Sequence, residues 1–446
     1  MSTLTSLTKN SIHYPVPTDN LTSSCLREYF INTWELYEML FSSIKSPKTY
    51  YLNPDPLRNP LIFYWGHTAA FYINKLRAAG LIEKGLNAHY EHIFAVGVDP
   101  DSPGNLDKPN LWPSVGEVNQ YRQKVYDIVL GVIETFPSGE NLKEDSPWWT
   151  LMMGLEHDRI HFETSSMLFR QLPTECLNRP EEWCYAPTFG VPARNEMIKV
   201  EGGKIALGKP ADDPGFGWDN EYGHLDVTVE PFMASKNLIS NAEYLQFVLS
   251  GAYNDQKFWT EEGWTWKKNV QATYPKFWIK GRDTFLYRTV FELIAMPLDW
   301  PAEVNAHEAW AFCHWKGEGW RLMSEAEFRI ITKNTLLEKG EPAFSDQYNI
   351  NMAYGSPTPV GFMDQDQSKQ GFNDIYGNVW DWLNDDFYPL PGFKVHPHYK
   401  DFSESFFDTN HSMLLGGAWA TTGTGASSYY RLWFRRHFFQ HAGFRL

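Results

Sequence analysis

Glu156-His157-Asp158-Arg159-Ile160-His161-Phe162-Glu163 lies inside a segment, residues 146–172, whose apolar spacing predicts one long helix. His157 and His161 are four apart, so on a helix both imidazoles point to the same side, one turn above the other. Two neutral ring nitrogens on one face are half of a site for a divalent transition metal, since imidazole suits iron, zinc, copper or nickel. The same spacing also fits a surface helix carrying two solvated histidines. The pair alone does not choose between them.

Upstream, three more helices are predicted. Residues 22–44 carry Leu26, Phe30, Trp34 and Tyr37 at helical spacing. A second helix starts at Asn59-Pro60, read as an N-cap followed by proline at the first helical position, and stops at Gly80. A third opens with the capping box Ser114/Glu117 and runs to about Thr135. With the helix begun at Ser146-Pro147 they make a four-helix bundle, whose interior commonly holds metals.

His67, in Phe63-Tyr64-Trp65-Gly66-His67, is a lone polar group in an apolar stretch of the second helix and needs a partner. If the bundle runs up-down-up-down, the second and fourth helices are parallel and His67 and His157 reach similar depth. A three-histidine face follows, with a satisfied core histidine as the alternative. Glu163 is a second choice for third ligand, but its offsets from His157 and His161 turn it away from their face, which suits a supporting role outside the ligand set. The pairs His89/His92 and His396/His398, both in loop-like sequence, and His437/His441 compete for the metal without an obvious third histidine.

The chain of 446 residues has formal net charge -15 and no long basic run, which argues against nucleic acid or an anionic membrane as partner. No apolar run reaches the ~20 residues of a membrane span, and residues 1–5 show no secretory signal pattern. Four scattered cysteines, Cys25, Cys176, Cys184 and Cys313, suggest reduced thiols and a cytoplasmic protein. The expected division is residues 1–185 for the bundle, 186–196 for a linker and 197–446 for a second domain. There the long helical periods give way to short strands, Gly, Trp and Asp/Asn-rich loops. Met197 to Gly203 reads as a strand and tight turn; 241–249 and 305–315 read as helices, each with an Asn cap. The chain shows no P-loop, dinucleotide fingerprint, nucleophile elbow or internal repeat.

Motifs spread over the chain carry a family resemblance. Gly202-Gly203, Arg321-Leu322-Met323-Ser324-Glu325-Ala326-Glu327-Phe328, Tyr376-Gly377-Asn378-Val379-Trp380-Asp381-Trp382, Gly416-Gly417-Ala418-Trp419 and Gly443-Phe444-Arg445 resemble the formylglycine-generating, sulfatase-modifying fold. The N-terminal half, with His67 and the His-x3-His-x-Glu motif, is similar to DinB-type bundles. The implied fold class is α+β, an N-terminal DinB-like four-helix bundle followed by a formylglycine-generating-enzyme (sulfatase-modifying, C-type-lectin-like) domain. That pairing resembles the nonheme iron sulfoxide synthases of thiohistidine biosynthesis. Asn53 to His67, Phe94 to Asp99, Gly217 to His224 and Arg435 to Arg445 resemble the ovothiol branch, the 5-histidylcysteine sulfoxide synthases.

The resemblance implies Fe(II) held by His67, His157 and His161, with L-cysteine, L-histidine and O2 as substrates. It implies a catalytic Tyr399, substrate contacts from Phe402, Tyr430 and the carboxylate-binding Arg435, and a substrate-facing Ile160 where related enzymes carry Gln. Structural ion pairing remains the other reading of Arg431, Arg435 and Arg436. Asn110-Leu111-Trp112 stand where relatives using γ-glutamylcysteine carry arginines, which favours free cysteine. The absence of Cys after Cys313 argues against formylglycine chemistry. The ovothiol enzymes commonly continue into a methyltransferase domain, so a separate methyltransferase, and a sulfoxide lyase downstream, are expected partners. Coupling at C2 of hercynine, a selenium donor, a non-catalytic lectin-like module and a zinc-dependent thiol S-transferase are the alternatives.

Overall fold

The four long helices form one unit and pack around a shared apolar centre, α1 (Ser23–Ser42), α2 (Leu61–Ala78), α4 (Val115–Glu134) and α5 (Trp149–Arg170), with a short α3 (Ala88–Ile93) between the second and third. The structure is a computed structural model that describes residues 18–95, 112–137, 139, 141–333, 335, 347–363 and 370–446. Residues 1–5, 96–99 and 110–111, which carried expectations above, lie outside the described residues.

Helix ends follow local chemistry. Thr22 caps α1 by accepting from the Cys25 amide, and Ser114 with Glu117 forms the expected capping box of α4. Two expected caps are displaced. Pro60, without a side-chain bond, is the N-cap of α2 while Asn59 is buried, and α5 begins after Trp148 rather than at Ser146. His89 and His92, expected in a loop, lie on α3, which Asn87 caps.

Helix directions also differ from expectation. Tyr64 meets His161, and Tyr72 fills the space over Gly154, so α2 and α5 are antiparallel. Tyr29 bonds Glu156 and Tyr37 meets Ser165, so α1 and α5 are parallel. Trp65 bonds Asn119 and Arg122 bonds Thr68, so α2 and α4 are parallel too. The order is up-down-down-up, which the length of sequence between α2 and α4 permits, since parallel neighbours need a long connection. His67 and His157 meet nonetheless. Each stands within one turn of its helix midpoint, so reversing one helix leaves them level.

The second unit comprises Trp183–Asp213, Gly217–Val395 and Phe402–Leu446; the segments Pro214–Phe216 and His396–Asp401 group with the bundle. Its strands are β1 (Met197–Val200), β2 (Gly203–Leu207), β3 (Leu225–Val229), β4 (Phe232–Ser235), β5 (Trp278–Lys280), β6 (Phe285–Arg288), β7 (Leu293–Ala295), β8 (Trp380–Asp386), β9 (His411–Leu415), β10 (Leu432–Arg435) and β11 (Ala442–Gly443). They form small sheets β1-β4, β2-β3 and β5-β6-β7 and a four-stranded sheet β10-β9-β8-β11. Helices α6 (Asn241–Leu249), α7 (Glu261–Val270), α8 (Ala306–Lys316) and α9 (Glu325–Thr332) punctuate them. Asn305 caps α8 as expected, whereas Ser240, not Asn241, caps α6.

The central strand β8 is buried on both faces over Trp380, Asp381 and Trp382, which explains why its motif lacks alternation. Asp381 is neutralised by Arg445, whose Nε donates to it at 3.1 Å while Nη2 donates to the Asp374 carbonyl at 2.7 Å. Two motifs distant in sequence, around Trp380 and at Gly443-Phe444-Arg445, therefore close on each other. Gly377 holds φ +77° with the Asn349 carbonyl 2.7 Å from where a Cβ would stand, so no larger residue fits that turn.

Glu308 gives this unit a pH dependence. Its carboxylate caps α8 and accepts from the Tyr253 hydroxyl at 2.6 Å, and burial pushes its carboxyl from 4.5 up to about 7. The native state holds this proton more tightly than the unfolded chain. The stabilisation is thus complete below about pH 4.5 and is lost as pH rises through about 7. Urea unfolding at pH 5 and pH 8 should show Glu308→Gln losing less stability across that window than the native chain, by on the order of 3 kcal/mol at most.

Candidate metal centre

His67, His157 and His161 each offer one ring nitrogen, and the three nitrogens lie within 4.8 Å of one another, the sole such group among the described residues. The ring centroids of His157 and His161 are 4.4 Å apart, and the Nε2 atoms of His67 and His157 are 3.2 Å apart. Burial pushes His67 down to about 4 and holds His157 and His161 well below their ordinary value, helped for these two by the neighbouring rings. The rings are therefore neutral and can present lone pairs.

Local structure fixes His67. Its Nδ1 lies 2.5 Å from the Phe94 carbonyl, which only accepts, so Nδ1 carries the proton and Nε2 is left as a lone pair facing the other rings. Phe94 comes that close because residue 66 is glycine: a Cβ there would stand 2.5 Å from Phe94 ring carbons. From α4, the buried Arg122 donates to the Trp65 carbonyl at 2.9 Å and to Thr68 Oγ1 at 3.0 Å, gripping the turn that carries His67. Arg122 also stacks 3.7 Å over Trp65 and pairs with Glu38 at 2.8 Å. On α5, the side away from the histidines is tied to α1 by Tyr29 donating to Glu156 at 2.7 Å and Arg159 donating to Asn32 at 3.0 Å.

The walls are aromatic. Phe71 stacks on His157 at 3.6 Å, Phe63 on His67 at 5.1 Å, and Trp112 on Phe94 at 5.9 Å. Nδ1 of His157 and of His161 are buried without a hydrogen-bond partner. A cluster of satisfied core histidines would not leave such atoms. A divalent transition metal that takes nitrogen ligands fits three convergent neutral imidazoles and an apolar wall.

Tyr399 belongs to the same unit. Its ring lies 5.2 Å from Phe71 and 6.2 Å from His157, and it is half-buried. Ile160, also half-buried, precedes His161 on α5. Glu163 is buried but outside the nitrogen cluster. His396 and His398 serve architecture: His396 Nε2 lies 3.3 Å from the Glu144 carbonyl, and its Nδ1 accepts from the His398 amide at 3.2 Å. His441 is fully buried 3.3 Å from Glu303.

Phe402, Tyr430 and Arg435 belong to the second unit. Phe402 stacks on Trp218 at 4.1 Å and meets the edge of Trp433 at 5.0 Å, two residues before Arg435 on β10 and on the same face of the strand. Tyr430 is buried 5.9 Å from Trp380. Arg431 and Arg436 are structural: the first pairs with Glu325 at 2.9 Å, the second with Glu262 at 2.8 Å and Asp386 at 2.5 Å. Cys313 is buried, which pushes its thiol up to about 12. Sequence reading missed Phe71, Phe94, Arg122 and Lys75 around the site. Only Phe71 and Lys75 left a trace, their spacing of four and eight residues from His67.

A cluster of potential metal ligands on one unit and a loop-rich sheet domain on the other invite comparison with known proteins. Residues 186–446 match the sulfatase-modifying factor enzyme 1-like domain, and the chain belongs to that family. It is 31% identical over 420 residues to the hercynine oxygenase of Mycobacterium tuberculosis, covering 88% of this chain and 91% of that one. It is 24% identical over 402 residues to ergothioneine biosynthesis protein 1 of Schizosaccharomyces pombe, covering 82% of this chain and 48% of that one. The Neurospora crassa protein of the same name is 23% identical over 476 residues, with 87% and 53% covered. The chain thus spans about half the length of these fungal relatives. The similarity to the hercynine oxygenase thus extends over most of both chains.

Gly66→Ala should displace Phe94 and with it the carbonyl that orients His67. Equilibrium dialysis should show divalent-metal affinity reduced about 10- to 100-fold, the range for lost orienting partners, with the helical content in circular dichroism retained.

Proposed function

We propose that the chain is an Fe(II)- and O2-dependent sulfoxide synthase that joins L-cysteine to C5 of L-histidine, giving 5-histidylcysteine sulfoxide. What carries the reading is the buried three-imidazole cluster with Tyr399 beside it, in a chain whose family includes hercynine oxygenases. His67, His157 and His161 would hold the iron, which supplies a site where thiol, imidazole and oxygen react together. We take the helical unit as DinB-like, on its four long helices, and place the protein in the cytoplasm, where the exposed Cys25 and Cys184 stay reduced.

The reaction balances without a reductant. The thiol and the ring carbon each give up one hydrogen and form the carbon–sulfur bond; one oxygen atom ends on sulfur and the other leaves as water. Tyr399 supplies and returns a proton beside the imidazole cluster, and the aromatic wall of Phe63, Phe71 and Phe94 keeps bulk water away. Trp112, stacked on Phe94, makes that wall apolar where a second substrate carboxylate would need a cation, which favours cysteine over a γ-glutamyl thiol. Phe402, Tyr430 and Arg435 are assigned to the histidine substrate, with Arg435 gripping its carboxylate, and Ile160 to the substrate-facing side of α5. The names of the relatives favour a second reading, coupling at C2 of hercynine.

Oxygen uptake and product mass, measured with cysteine alone, histidine alone, both together, and cysteine with hercynine, test the proposal. Cysteine with histidine should give rapid uptake and a product lacking the C5 ring proton in NMR. A product lacking the C2 proton, or turnover with hercynine only, would transfer the assignment to the second reading. No uptake with any pair would mark a binding module, and anaerobic turnover with zinc a thiol transferase. His157→Ala should lose iron and at least 100-fold in turnover, while Tyr399→Phe should keep iron and shift products towards cysteine sulfinate.

A further inference from the structure

Lys75 follows Phe71 by four residues and His67 by eight, so the three share one face of α2. Its ammonium is half-buried and performs two tasks. Nζ donates to the His398 carbonyl at 2.5 Å, one residue before Tyr399, and lies 4.0 Å from the centre of the Tyr399 ring. It is also 5.0 Å from the Phe71 ring.

The backbone of His396–Asp401 has its own anchors. His396 reaches the Glu144 carbonyl, the His398 amide donates to His396 Nδ1, and the Tyr399 amide donates to the His396 carbonyl at 3.0 Å. These bonds set the loop but act on its main chain. The phenol ring is met edge-on by Phe71 and on its face by the Lys75 ammonium. A partly desolvated cation over an aromatic face is a directional contact, because only the face carries the negative end of the ring quadrupole. A methylene chain of the same length would fill the space without fixing the tilt.

We infer that Lys75 is the positioning residue for Tyr399, holding the phenol beside the imidazole cluster by gripping the preceding carbonyl and the ring face with one ammonium. The inference rests on the role proposed above for Tyr399 only for its catalytic consequence. The geometry is independent of iron. Burial lowers the Lys75 ammonium to about 8, partly offset by Asp401, which leaves it mainly charged at neutral pH.

The test places 3-fluorotyrosine at position 399 of the full chain and records the 19F spectrum without metal. The native chain and Lys75→Arg should give a resonance displaced from that of free fluorotyrosine. Lys75→Met should move it most of the way to the free value, with circular dichroism unchanged. Lys75→Gln keeps a donor for the His398 carbonyl without the charge, and should also lose the displacement; it serves as the readout if Lys75→Met does not fold. In the iron-loaded enzyme, Lys75→Met should raise the sulfinate share several-fold with the KM for cysteine within about twofold, and Lys75→Arg should restore part of the native ratio. An unchanged 19F shift in both Lys75→Met and Lys75→Gln overturns the inference. A shift that follows Lys75 with unchanged product ratios upholds the placement and removes the catalytic role of Tyr399 instead.

Discussion

Three imidazoles from two antiparallel helices converge where burial, more than their mutual repulsion, keeps them neutral. That convergence is the constraint on which the helical unit is built. Desolvation alone would make buried histidines a burden, since each ring nitrogen needs a partner. Here the burden is borne in a fixed geometry: the Phe94 carbonyl takes one Nδ1 proton, Gly66 makes room for Phe94, and Arg122 grips the turn between them. Remove the requirement for convergent lone pairs and these three features lose their common explanation.

Periodicity made the helices legible, and the i, i+4 histidines could be put on one face from sequence alone. The third histidine was found by the cost of a lone polar group in an apolar run. Helix direction was not legible. Spacing reports which residues share a face, not whether the next helix returns or crosses, and α2 and α4 run parallel where they were expected to oppose. Caps were read correctly at Ser114/Glu117 and at Asn305, and misplaced at Asn59 and Asn241, where the neighbouring residue, Pro60 or Ser240, holds the N-cap position. Arg122 and the Phe94 carbonyl were invisible because their roles come from tertiary approach and, for Phe94, from the backbone.

In the second unit the motifs proved to be mostly architecture. Asp381 and Arg445 neutralise each other beside a strand lined with tryptophan, and Glu325 is matched to Arg431 by a two-pronged contact at 2.9 and 3.0 Å. Buried ion pairs of this sort stabilise little by themselves, but losing one partner is costly, so each motif residue depends on its mate. Family recognition thus drew on residues that keep the fold in place, while Phe402, Tyr430 and Arg435 stand among them on the strength of position.

Tyr399 lies in a six-residue segment that groups with the bundle although about 220 residues separate it from the end of the helical stretch at Glu182. On the ribosome, then, the histidine cluster exists well before its tyrosine does. At ordinary elongation rates the gap is roughly ten to forty seconds. Helices that fold during that interval draw their stability from packing among α1 to α5, and the late segment docks onto them afterwards.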